Sequence, residues 1–231
     1  MENGKEKIRI LKNGPYVVTG RVPLYIERIV PDGDGNGESY AKGKEYETAD
    51  CYSLCRCGHA KTRPFCDGTH KEVEFSAPET ACRACYCEAA RVYEGGTIDL
   101  LDAPELCARA RFCDRFENAW RLTLKSSEAH PEYEERAVYE ANHCPGGRIT
   151  VRKDGVEIEP CLPKEIGLLE DVYYGTRGPI FVKGGITLTD EDDAEYETRN
   201  RRALCRCGGT RNMPFCDGAH LRKKHMKGSD E

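Results

Sequence analysis

Leu204-Cys205-Arg206-Cys207-Gly208 and then Pro214-Phe215-Cys216-Asp217-Gly218-Ala219-His220 repeat a stretch that stands 150 positions earlier. There it reads Leu54-Cys55-Arg56-Cys57-Gly58 and Pro64-Phe65-Cys66-Asp67-Gly68-Thr69-His70. Working outward, Glu195-Tyr196-Glu197-Thr198 repeats Glu45-Tyr46-Glu47-Thr48 at the same offset. Further upstream, Gly178-Pro179 with Val182, Gly184 and Leu188 repeats Gly14-Pro15 with Val18, Gly20 and Leu24, now at a larger offset. The first copy therefore carries about 14 extra residues between Leu24 and Glu45, among them the turn-rich run Pro31-Asp32-Gly33-Asp34-Gly35-Asn36-Gly37. A duplication of this kind is best read before any local feature.

Each copy opens with short β-branched and aromatic runs bounded by glycine, Tyr16 to Thr19 and Ile180 to Val182, which predict strands. The residues between the copies differ in character. Asp102 followed by Glu105, with Pro104 between them, predicts a helix start. Glu134 to Asn142 reads as helical. The expected organisation is a first module over 8–76, an insert over 77–155 and a second module over 156–224, in the α+β class.

In both copies the cysteines run C-x-C, then eight residues, Cys, three residues, His. Thiolates with an imidazole are the donors expected for zinc or for an iron–sulfur cluster. Zinc sites usually draw on C-x₂₋₄-C pairs. The tighter C-x-C can instead place two sulfurs on one iron of a 2Fe–2S cluster and leave Cys and His for the other. Two zinc-stabilised β modules without a redox role are the competing reading.

Cys55-Arg56-Cys57-Gly58…Pro64-Phe65-Cys66-Asp67-Gly68-Thr69-His70 and its second copy resemble the CDGSH iron–sulfur domain. The resemblance implies a 2Fe–2S cluster in each copy. Cys55 and Cys57 would hold one iron and Cys66 and His70 the other, with Cys205, Cys207, Cys216 and His220 repeating the arrangement. It also implies two small β-rich modules, which a duplicated chain could pair internally as a pseudo-dimer. The family usually has Ser or Thr where the first copy has Ala60, whereas the second has Thr210. A hydroxyl there would tune a cluster by hydrogen bonding, so the two copies should differ in potential or stability.

The insert supplies Cys82, Cys85, Cys87, Cys107, Cys113 and Cys144. Cys107-x₅-Cys113 followed by Cys144-Pro145 resembles divergent mono-cluster ferredoxins, with Ala110 where bacterial ferredoxins have a middle cysteine. That implies a third cluster, 3Fe–4S or 4Fe–4S, in a ferredoxin-like segment from about Leu100 to Val151. The plainer alternative is one helix from Glu105 to Phe116. It would point Cys107 and Cys113 about 120° apart, as ordinary buried thiols beside Leu106 and Ala110. Cys82, Cys85 and Cys87 could offer a fourth cluster ligand, bind zinc with Cys161 or a histidine, or form a metal-free loop. Cys51 has no assigned role, and His143 is a weak candidate ligand.

Of the 231 residues, 39% are hydrophobic and 32% charged, which suits small units stapled by inorganic centres better than one large core. A formal charge of −5 argues against a nucleic-acid binder. Arg222, Lys223, Lys224 and Lys227 read as a solvated tail. No apolar run reaches the ~18 residues of a membrane span, and polar Met1 to Lys7 does not resemble a secretory signal. Fourteen cysteines in a cytoplasmic setting point to ligation rather than disulfides. With no G-x-G-x-x-G after a strand and no catalytic triad or carboxylate pair, the expectation is not an enzyme. It is an electron-transfer or redox-sensing protein that meets redox partner proteins. The alternative is a protein that stores clusters and passes them to apo-protein acceptors.

Overall fold

The computed structural model describes residues 6–230, so most of the polar stretch Met1 to Lys7 lies outside the described residues. The first copy contributes β1 (Lys7–Ile10), β2 (Tyr16–Thr19), β3 (Leu24–Pro31), β4 (Gly37–Tyr46), β5 (Cys51–Leu54) and the one-turn helix α1 (Thr69–Glu72). In β1 and β2 alternate residues point inward, burying Ile8, Ile10, Tyr16 and Val18, as the period of a strand requires. The insert contains α2 (Tyr86–Ala89), β6 (Arg91–Glu94), β7 (Asp99–Asp102), α3 (Ala119–Lys125), α4 (Pro131–Asn142), β8 (Ile149–Lys153) and β9 (Val156–Ile158). The second copy follows with β10 (Ile166–Asp171), β11 (Thr176–Lys183), β12 (Thr187–Thr189) and β13 (Arg201–Leu204).

The copies trade strands. Antiparallel β1, β2 and β5 form one sheet, whose outer place beside β1 is taken by β12 of the second copy, running parallel. In the other sheet β10, β11 and β13 are antiparallel neighbours, and β3 of the first copy lies parallel to β10. Parallel neighbours cannot be joined by a tight hairpin; here each comes from the other copy. The core is consequently shared. Ile8, Tyr16, Leu24 and Leu54 pack in one cluster with Ile166, Leu168, Ile180, Val182 and Leu204. Each such buried side chain contributes roughly 1.5–3 kcal/mol, so neither copy holds this core alone.

The extra residues of the first copy turn out to build β4, which pairs antiparallel with β3, so only the tip is a loop. At that tip Asp32 accepts the N–H groups of Asp34 and Asn36, both at 2.9 Å, and Gly35 takes a left-handed φ of 86°.

In the insert β6, β7, β8 and β9 form an antiparallel meander. Leu100, Ile149 and Val151 of that sheet pack against Leu122 of α3 and Ala137 and Ala141 of α4. The helix expected over Glu134 to Asn142 is present and starts at Pro131, in the first turn where its missing N–H costs nothing. Asp102 caps no helix: it pairs with the Arg148 guanidinium through bonds of 2.7 and 3.0 Å. A single 3-10 turn, Pro104–Leu106, stands where that helix start was expected. Because β9 pairs with β8, the insert's sheet also runs past the boundary expected at 155.

Arg222, Lys224 and Lys227 of the basic C-terminal stretch are exposed, as expected, while residues among and after them anchor it. Met226 is buried, Lys227 donates to Thr176 Oγ1 and the Tyr174 carbonyl, and the Asp230 side chain is fully enclosed. Among the described residues no helix is long and apolar enough to cross a membrane.

Candidate metal centres

Each ligand loop hangs from the last strand of its copy. Cys55 N–H donates to the Pro64 carbonyl (2.9 Å) and Cys66 N–H to the Ser53 carbonyl (2.9 Å). The second copy repeats both, Cys205 to Pro214 (2.8 Å) and Cys216 to Ala203 (2.9 Å). The loop then turns at Gly68 and Gly218, with left-handed φ of 90° and 82°, a conformation that a side chain would strain. The motif's aspartates brace it, a role the spacing did not reveal. Asp67 accepts the N–H groups of Lys61 (2.6 Å) and Thr69 (3.0 Å), and Asp217 those of Arg211 and Ala219 (both 3.0 Å). Thr69 and Lys61 hold the Asp67 carboxyl well below the usual range.

The bracing brings the expected ligands together in pairs. Sγ of Cys55 and Cys57 lie 3.7 Å apart, and those of Cys205 and Cys207 3.6 Å. Cys66 Sγ lies 3.4 Å from His70 Nδ1, and Cys216 Sγ 3.5 Å from His220 Nδ1. Two thiolates bound tetrahedrally at about 2.3 Å from one metal would stand ~3.8 Å apart, so each pair matches the bite of a single ion. Among the described residues no three His, Cys, Asp or Glu side chains gather around one ion position. Each pair, two thiols or a thiol with an imidazole, presents donors suited to iron or zinc. The thiolate form is favoured at the first cysteine of each set: the Cys57 or Cys207 thiol and nearby backbone N–H groups lower Cys55 and Cys205 despite burial.

The two sets differ in enclosure. Cys66 and His70 are half-buried, whereas Cys205, Cys207, Cys216 and His220 are all buried, His220 to 3% exposure. Burial lowers His220 to about 4, with the nearby Arg206 adding to it. The cover comes from the insert: Ala108 packs on Cys216 and Ala203, and the Arg109 side chain lies over Gly218. The Thr210 hydroxyl does not face a sulfur, contrary to expectation. It donates to the Phe215 carbonyl (2.8 Å) and accepts Asn212 N–H (3.0 Å), so it stiffens the loop. Ala60, its counterpart, is buried.

Cys107, Cys113 and Cys144 line one cavity together with Ala110, Trp120, Pro145 and Arg148. A continuous helix over Glu105 to Phe116 would have separated them, but the backbone is not helical there. Arg109 and Arg111 have φ of 59° and 63°, and only the short 3-10 turn Phe112–Asp114 follows. Burial pushes the Cys113 thiol far up, and nearby Asp114, Cys144 and Cys107 push it further, with Arg148 opposing them. Cys82, Cys85 and Cys87 are exposed and do not line this cavity. Cys51 and Cys161 are also exposed. His143 stacks on Tyr139 with ring centroids 3.9 Å apart, and its Nδ1 lies 2.8 Å from the Tyr139 carbonyl, an aromatic packing role.

No curated protein and no solved structure shows a significant match to the chain. The family described as the iron-binding zinc finger of CDGSH type matches it twice, over residues 13–71 and 177–221, each match containing one complete ligand set. The chain is a tandem CDGSH protein, with an iron-binding CDGSH domain in each of its two copies.

Proposed function

We propose that the chain is a non-enzymatic electron carrier of the cytoplasm, with a 2Fe–2S cluster in each CDGSH domain and a 3Fe–4S or 4Fe–4S cluster in a ferredoxin-like insert. The exchange of third strands supports reading the copies as an intramolecular pseudo-dimer. The clusters would supply one-electron redox chemistry. One observation carries the transfer role: the insert's cysteine cavity adjoins the second ligand set, since Ala108, next to Cys107, packs directly on Cys216. Electrons gathered at the insert would have a short way to the second centre, and half-buried His70 would offer the first centre to a redox partner protein.

Metal analysis with EPR of the oxidised and dithionite-reduced protein tests this. The expected result is iron and sulfide without zinc, a reduced 2Fe–2S signal and, for a 3Fe–4S centre, a signal already present on oxidation. Cys144→Ala should lower iron from about seven or eight per chain to about four and leave the 2Fe–2S signal in place. Zinc without iron would end the proposal.

Cluster donation to apo-proteins is the second reading, favoured by the half-buried His70. A proton that takes the imidazole nitrogen competes with iron for it. Acid bleaching of the visible absorbance should therefore come in two steps, the more accessible first centre going before the enclosed second one. His70→Cys should remove the earlier step, and one unchanged step in the variant would contradict this.

A further inference from the structure

A cleft lined by none of the paired Cys and His residues opens between the insert and the second copy. Tyr86, Leu106, Tyr196, Phe215 and several alanines give it a largely apolar lining, with Arg199 and Arg202 at its polar end. Its cavity volume is about 70 Å³, below that of drug-sized sites, which limits it to a small ligand.

Its polar groups are unequally provided for. Arg83 is committed to Glu79 (3.0 Å) and Asp190 (2.5 Å), and the Glu197 carboxylate accepts Tyr86 N–H (2.8 Å). The Arg199 guanidinium lies over the Tyr86 ring, 3.6 Å from its centroid. Arg202 is the exception. It is 3% exposed, only its Nη2 is used, on the Glu197 carbonyl (2.5 Å), and both Nε and Nη1 are buried without a partner among the described residues. A buried guanidinium with two nitrogens left without an acceptor is costly. Burial and then the like-charged Arg199 both disfavour its charged form, pulling it down to about 10.

We propose that this cleft binds a small organic carboxylate, its anionic end on Arg202 and Arg199 and its apolar body along Tyr86, Leu106 and Phe215. A planar carboxylate is the anion that answers a guanidinium with two parallel hydrogen bonds, and the apolar walls favour a hydrocarbon body over a hydrated inorganic ion. Phe215 precedes Cys216, so the bound molecule would sit beside the second ligand loop.

The test is calorimetric titration of the cluster-loaded full chain with benzoate, alongside the neutral isostere benzamide and inorganic phosphate. Benzoate is expected to bind one per chain and to raise the melting midpoint, with benzamide and phosphate at least tenfold weaker. Arg199→Gln should weaken benzoate about tenfold, the value of one charge-assisted hydrogen bond. Leu106→Trp, which fills the cleft from its apolar wall, should abolish binding and spares the strand that carries Arg202. No benzoate binding to the native chain, equal binding of benzamide or phosphate, or unchanged binding in both variants would overturn the proposal.

Discussion

Asp230→Ala is expected to lower the stability of the folded chain by about 3 to 5 kcal/mol, the usual result of removing one member of a buried ion pair. The Asp230 carboxylate has no exposed surface. It pairs with Arg206, lies 3.4 Å from Arg177 and reaches Arg63 at 3.9 Å. Arg206 is the residue between Cys205 and Cys207. Its other donors go to the carbonyls of Gly178 (2.6 Å) and Leu169 (2.9 Å), so the carboxylate completes its set. Without it two buried guanidinium groups face each other without a counter-charge. Burial alone would raise the Asp230 carboxyl, but Arg206 and Arg177 outweigh that and hold it below its usual value. A carboxyl depressed on folding stabilises the protein above its unfolded pKa, and that stability is lost as pH falls through the folded value. The contribution is therefore complete at neutral pH. Urea unfolding at neutral pH reads it, and a loss under about 1 kcal/mol would contradict the account. The corresponding Arg56 of the first copy has no such carboxylate among the described residues. Only its Nη2 is used, on the Leu11 carbonyl (3.0 Å), while the rings of Tyr16 and Phe75 cover it. The second ligand set is thus the more firmly clamped of the two.

How much of this was legible in the sequence follows from the range of the forces involved. The pairing of Cys55 with Cys57 and of Cys66 with His70 was legible because it follows from short spacings, and the duplication exposed the shared strands. Tyr16 to Thr19 was read to the residue, since alternation within a short run is a local property. Arg109 and Arg111 show where local reading stops. Their left-handed backbone serves contacts with the second copy, Arg109 over Gly218 and Arg111 on Asp171 at 2.7 Å, and so breaks the helix that Glu105 to Phe116 could have formed. The basic run at the C-terminus was legible as solvated at Arg222, Lys224 and Lys227, but its anchors Asp230 and Met226 were not, because their partners lie on β11 and in the Cys205 loop. Thr210 shows a related limit: sequence places a hydroxyl near the ligands, but only the fold decides that it turns to Phe215 and Asn212.

The exchange of strands was equally hidden, and Lys183→Met tests what locks it. Lys183, on β11 of the second copy, is 5% exposed. Its Nζ donates to both oxygens of Glu27 on β3 of the first copy (3.0 and 3.2 Å), to Tyr25 Oη on the same strand, and pairs with Glu165 at 3.0 Å. Tyr25 in turn donates to Glu165 at 2.5 Å. Gly167 makes the room, because a Cβ there would lie 2.1 Å from Glu27 Oε2. Met keeps the apolar stem and removes the charge, leaving the buried Glu27 carboxylate without its cation. A loss of about 3 to 5 kcal/mol near pH 8 is expected. Burial already raises the Glu27 carboxyl above its ordinary value even with Lys183 pulling it down. A carboxyl raised on folding costs stability as pH climbs from its unfolded to its folded pKa. Without Lys183 that interval widens, so the deficit should shrink when unfolding is measured near pH 5.5. Adding Glu27→Gln should recover much of the loss at pH 8 and remove its pH dependence, because a neutral amide can stay buried where a lone carboxylate cannot. A pH-independent deficit that Glu27→Gln fails to relieve would mean that Lys183 acts through packing alone, and that the exchanged strand is held by its ladder and the shared apolar core.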